Sequence, residues 1–378
     1  MLKSSPPLVV VFLCATTSLL ASPHKPALLY AGFGFVGTHA SAKAEYRYSF
    51  ELSEKAEGTH LDSLLREKLF PGGVMEVDFP GFTLKLQASD GLEQQSLSMA
   101  FALDYESIGV EQIGQNFKLV FNLAGQVLIF DFSEGAVVGS VPVVIQLIDV
   151  QPREPDHDAI RRVIEALYAS SEYGVNLFDD LRVALDSISI QNNHLASIGV
   201  RNVTIDPLTS SFIPSSLGQH DFQGLKEFLA LSFGKYLAAN QKVMLVPFTK
   251  GQAIGNKMAL RFCDGSGLNL QLPEATFVVD LALQGLKKKV FQETPAGASV
   301  VFGSFLQLQI SEPLTGKIYL NEQHKKGVSK IIPASQENVA EWPAFQESLL
   351  ILLDETTQSW SKERNYQTLQ KKVLNPCR

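Results

Sequence analysis

Apolar and polar positions alternate through much of the first half of the chain. Met75, Val77 and Phe79 alternate with Glu76 and Asp78, and Phe82, Leu84 and Leu86 with Thr83, Lys85 and Gln87. Leu97, Met99, Phe101, Leu103 and Tyr105 make a third run; Phe117, Leu119, Phe121 and Leu123 make a fourth. Successive side chains of a strand point to opposite faces, so a period of two predicts strands with one wet face. Val127 to Phe132 and Val137 to Val150 are more continuously apolar and are expected in the middle of the sheet. Gly81, Gly91, Gly114, Gly125 and Gly135 punctuate the runs as turn residues, which suits a meander. Leu28–Tyr30 and Tyr46–Leu52 add two strands around a glycine-rich segment. One helix opens at Thr59 with Asp62 as capping partner, carries Leu61, Leu64 and Leu65, and stops at Pro71-Gly72-Gly73.

The period changes after Gln151-Pro152-Arg153-Glu154-Pro155. Ile160, Val163, Ile164, Leu167 and Tyr168 follow helical spacing, as do Phe178, Leu181, Leu185 and Ile188. A strand over Ser197–Asp206 and a helix from Asp221 to Ala239 come next, the helix feeding a strand at Lys242–Phe248. Further strands are predicted at Lys257–Phe262, Leu268–Leu272, Thr276–Leu286, Ser299–Ile310 and Lys317–Leu320. Pro343 opens a last helix that buries Phe345, Leu349, Leu352 and Leu353. Helices and strands mix without a regular βαβ rhythm, so the predicted fold class is α+β. An antiparallel meander with one helix spans 22–150, a linker 151–155, a mixed α+β domain 156–362 and a tail 363–378. No internal repeat or low-complexity tract shows in the sequence.

The first 21 residues change the picture of where this chain works. Lys3 precedes the apolar run Leu8–Ala15, and small residues stand at Ala21 and Ser22. That is the layout of a secretory signal, and the run is too short to cross ~30 Å of hydrocarbon. Cys14 follows Phe12-Leu13, where a lipidation signal wants small residues. The mature protein is therefore expected in the periplasm or outside the cell, with no transmembrane segment. The chain carries a net charge of −7 with no sustained basic stretch, which argues against a nucleic-acid partner. Lys287-Lys288-Lys289 and Lys325-Lys326 read as solvated surface turns. Without the leader, Cys263 and Cys377 remain, and export makes a disulfide between them chemically permissible. Two cysteines without clustered histidines give no metal site.

Candidate chemistry is sparse. Gly32-Phe33-Gly34-Phe35-Val36-Gly37 is a formal G-x-G-x-x-G, with Glu51 available as a ribose acid. No helical stripe follows it, and Glu51 comes too early for a crossover helix and second strand. A glycine-rich strand or turn is the expected role, with no cofactor. Ser232-Phe233-Gly234-Lys235 fits the S-x-x-K spacing of serine acyl-enzymes but lacks that family's companion motifs: Ser89-Asp90-Gly91 is on the wrong side, and Thr249-Lys250-Gly251 is in the wrong order. Asp156-His157-Asp158 and Asp179-Asp180 sit where acidic residues cap helices. Glu106, Glu111, Asp131 and Glu134 stand at strand ends, as charged edges that oppose aggregation.

Lys242–Phe248 (KVMLVPF), and Val301–Leu320 with its Pro313-Leu314-Thr315-Gly316-Lys317 turn, resemble pieces of small α/β modules. Bacterial envelope assembly proteins related to the TolB N-terminal domain and curli-secretion lipoproteins carry such modules, although the lipidated cysteine of the latter is missing here. The resemblance implies an exported, non-catalytic binding or assembly scaffold whose partners are other envelope proteins. An exported hydrolase with a dispersed active site stands as the alternative. A carrier of a lipid or hydrophobic ligand, lined by Phe101, Phe117, Phe121, Phe130 and Phe132, stands as a third.

Overall fold

The computed structural model describes residues 25–54, 60–86, 97–188, 190, 198–214, 219–249, 256–336 and 340–360. The expected leader, Cys14, Ser89-Asp90-Gly91, Cys377 and the tail lie outside the described residues. β1 (Ala27–Val36) leads into α1 (His39–Glu45), α2 (Arg47–Ser53) and α3 (His60–Leu69). The short β2 (Glu76–Asp78) and β3 (Thr83–Lys85) precede three long strands, β4 (Leu97–Ile113), β5 (Asn116–Asp131) and β6 (Ala136–Gln151). α4 (His157–Ala169) and α5 (Leu177–Ser187) follow, then β7 (Ile198–Ile205) and α6 (Gln219–Gln241). A hairpin of β8 (Lys257–Phe262) and β9 (Gly267–Gln271) comes before β10 (Phe277–Thr294), β11 (Gly297–Glu312), β12 (Lys317–Pro333) and α7 (Trp342–Ser359). The fold is mixed α+β with a strand-rich N-terminal region, as the periodicity predicts.

Several elements depart from expectation. Tyr46–Leu52 lies in a helix, not a strand: Glu106 accepts the Tyr48 and Ser49 amides at 2.9 Å each and so caps the start of α2. The first region thus holds three helices before β4 where the sequence suggests one. The meander β4-β5-β6 is antiparallel, but β1 joins it in parallel with β4. Gly125 is no turn; β5 runs straight through it, because a side chain there would sit 2.4 Å from the Phe101 ring. Lys287–Lys289 and Lys325-Lys326 lie within β10 and β12, not in turns. Lys242 is a turn residue (φ +53°) at the end of α6, and Val243–Phe248 makes a single antiparallel bridge, from Leu245 to Ser140, in place of a strand.

Two sheets alternate with helices in four layers. Phe178 of α5 meets Phe101 on one face of the first sheet. On the other face Phe228 of α6 meets Tyr105, and Gln346 of α7 donates to Asn122 at 3.2 Å. Phe345 of α7 then packs on Phe302 of the second sheet. α6 is buried on nearly all sides from Glu227 to Gly234, as a helix between two sheets must be. α4 instead keeps one apolar stripe (Ile160, Val163, Ile164, Leu167, Tyr168) and a polar outer face.

The chain also repeats itself, a feature its sequence hides. β1–helices–β4-β5-β6–helices is matched by β7–α6–β10-β11-β12–α7, and both sets pair in the order first, second, third, fourth. Three irregularities coincide too, while a fourth, at Phe291 of β10, has no counterpart in β4. β1 skips Ala31 against β4, and β7 skips Arg201 against β10. β4 skips Asp104 against β5, and β10 skips Gln284 against β11. β6 skips Val138 against β5, and β12 skips Tyr319 against β11. Bulges re-aim side chains and are kept where the geometry needs them. Three coincident bulges define a one-to-one correspondence between the units.

The units differ in what closes them. β8 pairs with the end of β1, and β9 meets β6 at Ala136, so β1-β4-β5-β6-β9-β8 forms a closed ring. Ala100, Ala102, Leu128, Phe130, Val137, Met258 and Leu260 fill it. The counterparts of the first five in the second unit are Asp280, Ala282, Gln309, Ser311 and Ile318, and among the described residues no hairpin covers them.

Candidate functional site

The glycine motif lies on β1, and packing explains each glycine. Gly32 has φ +123° and leaves room for the Asp62 carboxylate of α3, which accepts from Tyr30 Oη (2.7 Å) and the Phe33 amide (2.9 Å). A side chain at Gly34 would meet the Arg261 carbonyl of β8 at 2.9 Å, and one at Gly37 (φ +107°) would meet Ser41 Oγ at 2.5 Å. Asp62 thus ties α3 to β1; Thr59, its expected capping partner, lies outside the described residues, and Glu51 pairs with Arg47 and His157. Asp156 caps α4 by accepting the Ala159 amide at 2.7 Å.

The S-x-x-K pair does come together. Ser232, Lys235 and Tyr236 line a cavity of about 130 Å³ between α6 and β6. Ser232 Oγ is buried without a hydrogen-bond partner. Lys235 Nζ, however, donates to the Val144 carbonyl at 2.7 Å and to Asp180 at 3.0 Å. An ammonium so engaged presents no lone pair to a serine, so the geometry is not that of a nucleophile and its base. Tyr236 is pushed up to about 12 by burial and by Asp354 and Asp180. A second cavity, about 170 Å³, is lined by Phe35, His39, Phe50, Glu54 and Cys263. Burial, then Asp62 and Asp264, raise the Cys263 thiol, which disfavours its thiolate. Both cavities are below the ~300 Å³ at which ligand pockets usually begin. Phe101, Phe121 and Phe130 are wholly buried core residues, while Phe132 faces solvent. Among the described residues no group of three or more metal-ligating side chains forms, and no helix is long and apolar enough to cross a membrane.

The most organised polar cluster is one that motif reading misses. Gln126 is fully buried, and its Nε2 donates to Asp104 (2.7 Å) and to the Phe248 carbonyl (3.0 Å). Its Oε1 accepts from the Phe248 amide and from Ser140 Oγ, both at 3.3 Å. Ser140 exchanges backbone hydrogen bonds with Leu245 at 2.7 and 2.8 Å. An extended segment, Leu245–Phe248, is therefore held on the first unit by one glutamine side chain and one edge residue.

The same three positions of the second unit carry Gln284, Gln307 and Asn321. Gln284 Nε2 donates to Gln307 Oε1 at 3.4 Å, and Gln307 Nε2 donates to Asn321 Oδ1 at 2.7 Å. Gln323 closes the cluster by donating to Gln284. Here the cluster faces solvent. β12 pairs only with β11 among the described residues, so a strand of 17 residues forms the edge of the second sheet. A shared spacing marks the two clusters in the sequence: Val120-Phe121, Gln126 and Ile129 against Val301-Phe302, Gln307 and Ile310.

No family model and no curated protein matches the chain. Among solved structures it is similar to a hypothetical protein of Chlamydia trachomatis (11% identity, TM-score 0.26, 43% of this chain and 95% of that one). A minor lipoprotein of Acinetobacter baumannii matches with 12% identity and TM-score 0.22, over 46% of this chain and 94% of the other. A Helicobacter pylori protein described as a homolog of a neuraminyllactose-binding hemagglutinin matches with 13% identity and TM-score 0.26, over 48% and 92%.

Proposed function

We propose that this chain is an exported, non-catalytic binding or assembly scaffold of the bacterial envelope that engages other envelope proteins through its second sheet. One observation carries the reading: of two units whose strands pair in the same order, the first is closed into a ring by the β8–β9 hairpin, while the second keeps, among the described residues, an uncovered face and a long unpaired edge. Natural proteins cover or shorten exposed edges, because unpaired N–H and C=O groups recruit foreign strands. An edge left long is suited to taking a partner strand. Polar residues on the bare face, and Lys317 and Lys325 along β12, keep that edge soluble until a partner arrives.

The test is site-specific photo-crosslinking in intact cells. A photoreactive residue at Gln323, on the β12 edge, is expected to give one discrete adduct; the same residue at the exposed Val183 of α5 is expected to give none. A proline at Asn321 should abolish the adduct: this position turns its N–H outward, so the change removes an edge donor without touching the β11 ladder. Equal labelling from Val183 and Gln323, or an adduct indifferent to the proline, would refute the reading.

A further inference from the structure

We infer that Gln307 and Asn321 form a docking site, without an occupant among the described residues, for an extended polypeptide segment held as the first unit holds Leu245–Phe248. The inference rests on the scaffold reading and specifies its register. Coincident bulges make Gln307 the counterpart of Gln126 and Asn321 the counterpart of Ser140. In the first unit, Gln126 spends one amide proton and one lone pair on its neighbours Asp104 and Ser140. It spends the remaining proton and lone pair on the carbonyl and amide of Phe248. A primary amide offers two protons and two lone pairs. Gln307 uses one proton on Asn321 and one lone pair on Gln284. What it has left is the same pair of groups that Gln126 gives to a peptide unit.

The edge agrees with the side chain. Ser140 stands opposite Leu128 and directs its backbone N–H and C=O away from β5, to Leu245. Asn321 stands opposite Gln309 in the same register, so its N–H and C=O also leave the sheet. The occupant is thus an extended strand that bridges Asn321 in antiparallel sense and presents a peptide unit to Gln307. Its chemistry differs from that of Leu245–Phe248. The walls around Gln126 are Ala102, Leu128 and Pro142; those around Gln307 are Ala282, Gln309 and Gln323. Lys287 and Lys325 lie further along the same face, with Lys287 over the Phe305 ring. The antiparallel sense brings residues N-terminal to the bridging position toward Lys325. The fitting partner is an extended strand with acidic side chains ahead of its docking residue.

A fluorescent synthetic peptide carrying residues 242–249 with Lys242→Glu, titrated onto the full chain, tests this. Binding should show in the anisotropy and should shift the Gln307 side-chain amide signals in NMR spectra. Gln307→Leu should weaken it by about tenfold or more, the loss of two hydrogen bonds to a peptide unit. Lys325→Glu should weaken it by several-fold and flatten its salt dependence. Gln307 is half-buried and its side-chain hydrogen bonds are exposed, so both variants should melt like the parent; Gln307→Met, which also removes donor and acceptor without adding charge, serves if Gln307→Leu does not. Absence of binding at 1 mM peptide, or equal affinity for the parent and Gln307→Leu, would overturn the proposed site. Binding lost with a proline at Asn321 yet unmoved by Gln307→Leu would overturn this register and leave edge docking standing.

Discussion

The two units of this protein share a register and differ in company. In the first, the polar bulge cluster is sealed under a piece of its own chain, and a hairpin closes the sheet into a ring. In the second, the same bulges carry amides that face water. One backbone design therefore serves as a sealed core in one place and an open surface in the other. Burial decides which. A buried polar group is costly unless every partner is present, whereas the same group in water costs almost nothing.

The sharpest way to break this comparison is to make one change twice. Gln126→Leu leaves the Asp104 carboxylate without its 2.7 Å donor and releases Phe248. Removing one hydrogen-bond partner of a buried polar group costs about 1–3 kcal/mol, and more where the group left behind is charged. Gln307→Leu, at the corresponding half-buried position whose hydrogen bonds are open to water, should stay within about 0.5 kcal/mol of the parent. Urea unfolding of both variants, read by circular dichroism, gives the contrast directly. Similar losses at the two sites would mean that the clusters are not sealed and open versions of one device.

A smaller contrast concerns volume. Gly125 faces Phe101, and its counterparts are Leu306 and Leu281, so each unit fills the same gap with a different pair. Gly125→Ala puts a methyl carbon within 2.6 Å of the Ala102 carbonyl and closer still to the Phe101 ring. Overpacking of that kind costs about 1–3 kcal/mol. Adding Phe101→Leu should recover part of the loss in the same unfolding assay, and no recovery would place the strain in the backbone instead.

How far the sequence could be read follows the same division. Strands with one covered face, such as β4, and amphipathic helices, such as α4, announce themselves by period. The second half of β12 does not. From Asn321 to Lys330 its residues are polar on both sides apart from Gly327 and the buried Val328, because one face is bare and the other meets α7 through ion pairs: Lys326 with Glu355 and Lys330 with Glu347. A pattern of apolar residues cannot reveal a strand that buries so few. α2 was hidden for another reason. Tyr46–Leu52 has strand-like composition, and the carboxylate that caps its helix comes from Glu106, far along the chain. The repeat escaped because three bulge positions and the hairpin-loop lengths are kept while most side chains are not. Only the Val-Phe, Gln and Ile spacing of β5 and β11 survives as a signal. The candidate site was illegible for that reason: a lone glutamine in a strand carries no motif.

The smallest effect, and the most direct probe of that cap, is the pH dependence at Glu106. Its counterpart in the second unit is the buried Leu286, so the carboxylate belongs to the first unit alone. Burial raises the Glu106 carboxyl above its ordinary value, and the amides of Tyr48 and Ser49 only partly offset this. A carboxyl raised on folding binds its proton more tightly in the folded chain. Its contribution to stability is then fully present below the unfolded value and is lost as pH rises through the folded one. Unfolding free energies of the parent and Glu106→Gln, measured from pH 4 to pH 8, should therefore diverge in one direction. The parent should lose stability relative to the variant as pH rises through the range above about 4.3, the ordinary glutamate value. A parent that instead gains on the variant over that range would mean that the two amide bonds outweigh desolvation. The helix start would then be an anion site that pulls the Glu106 carboxyl down, and the difference between the units at this position would rest on attraction rather than on burial.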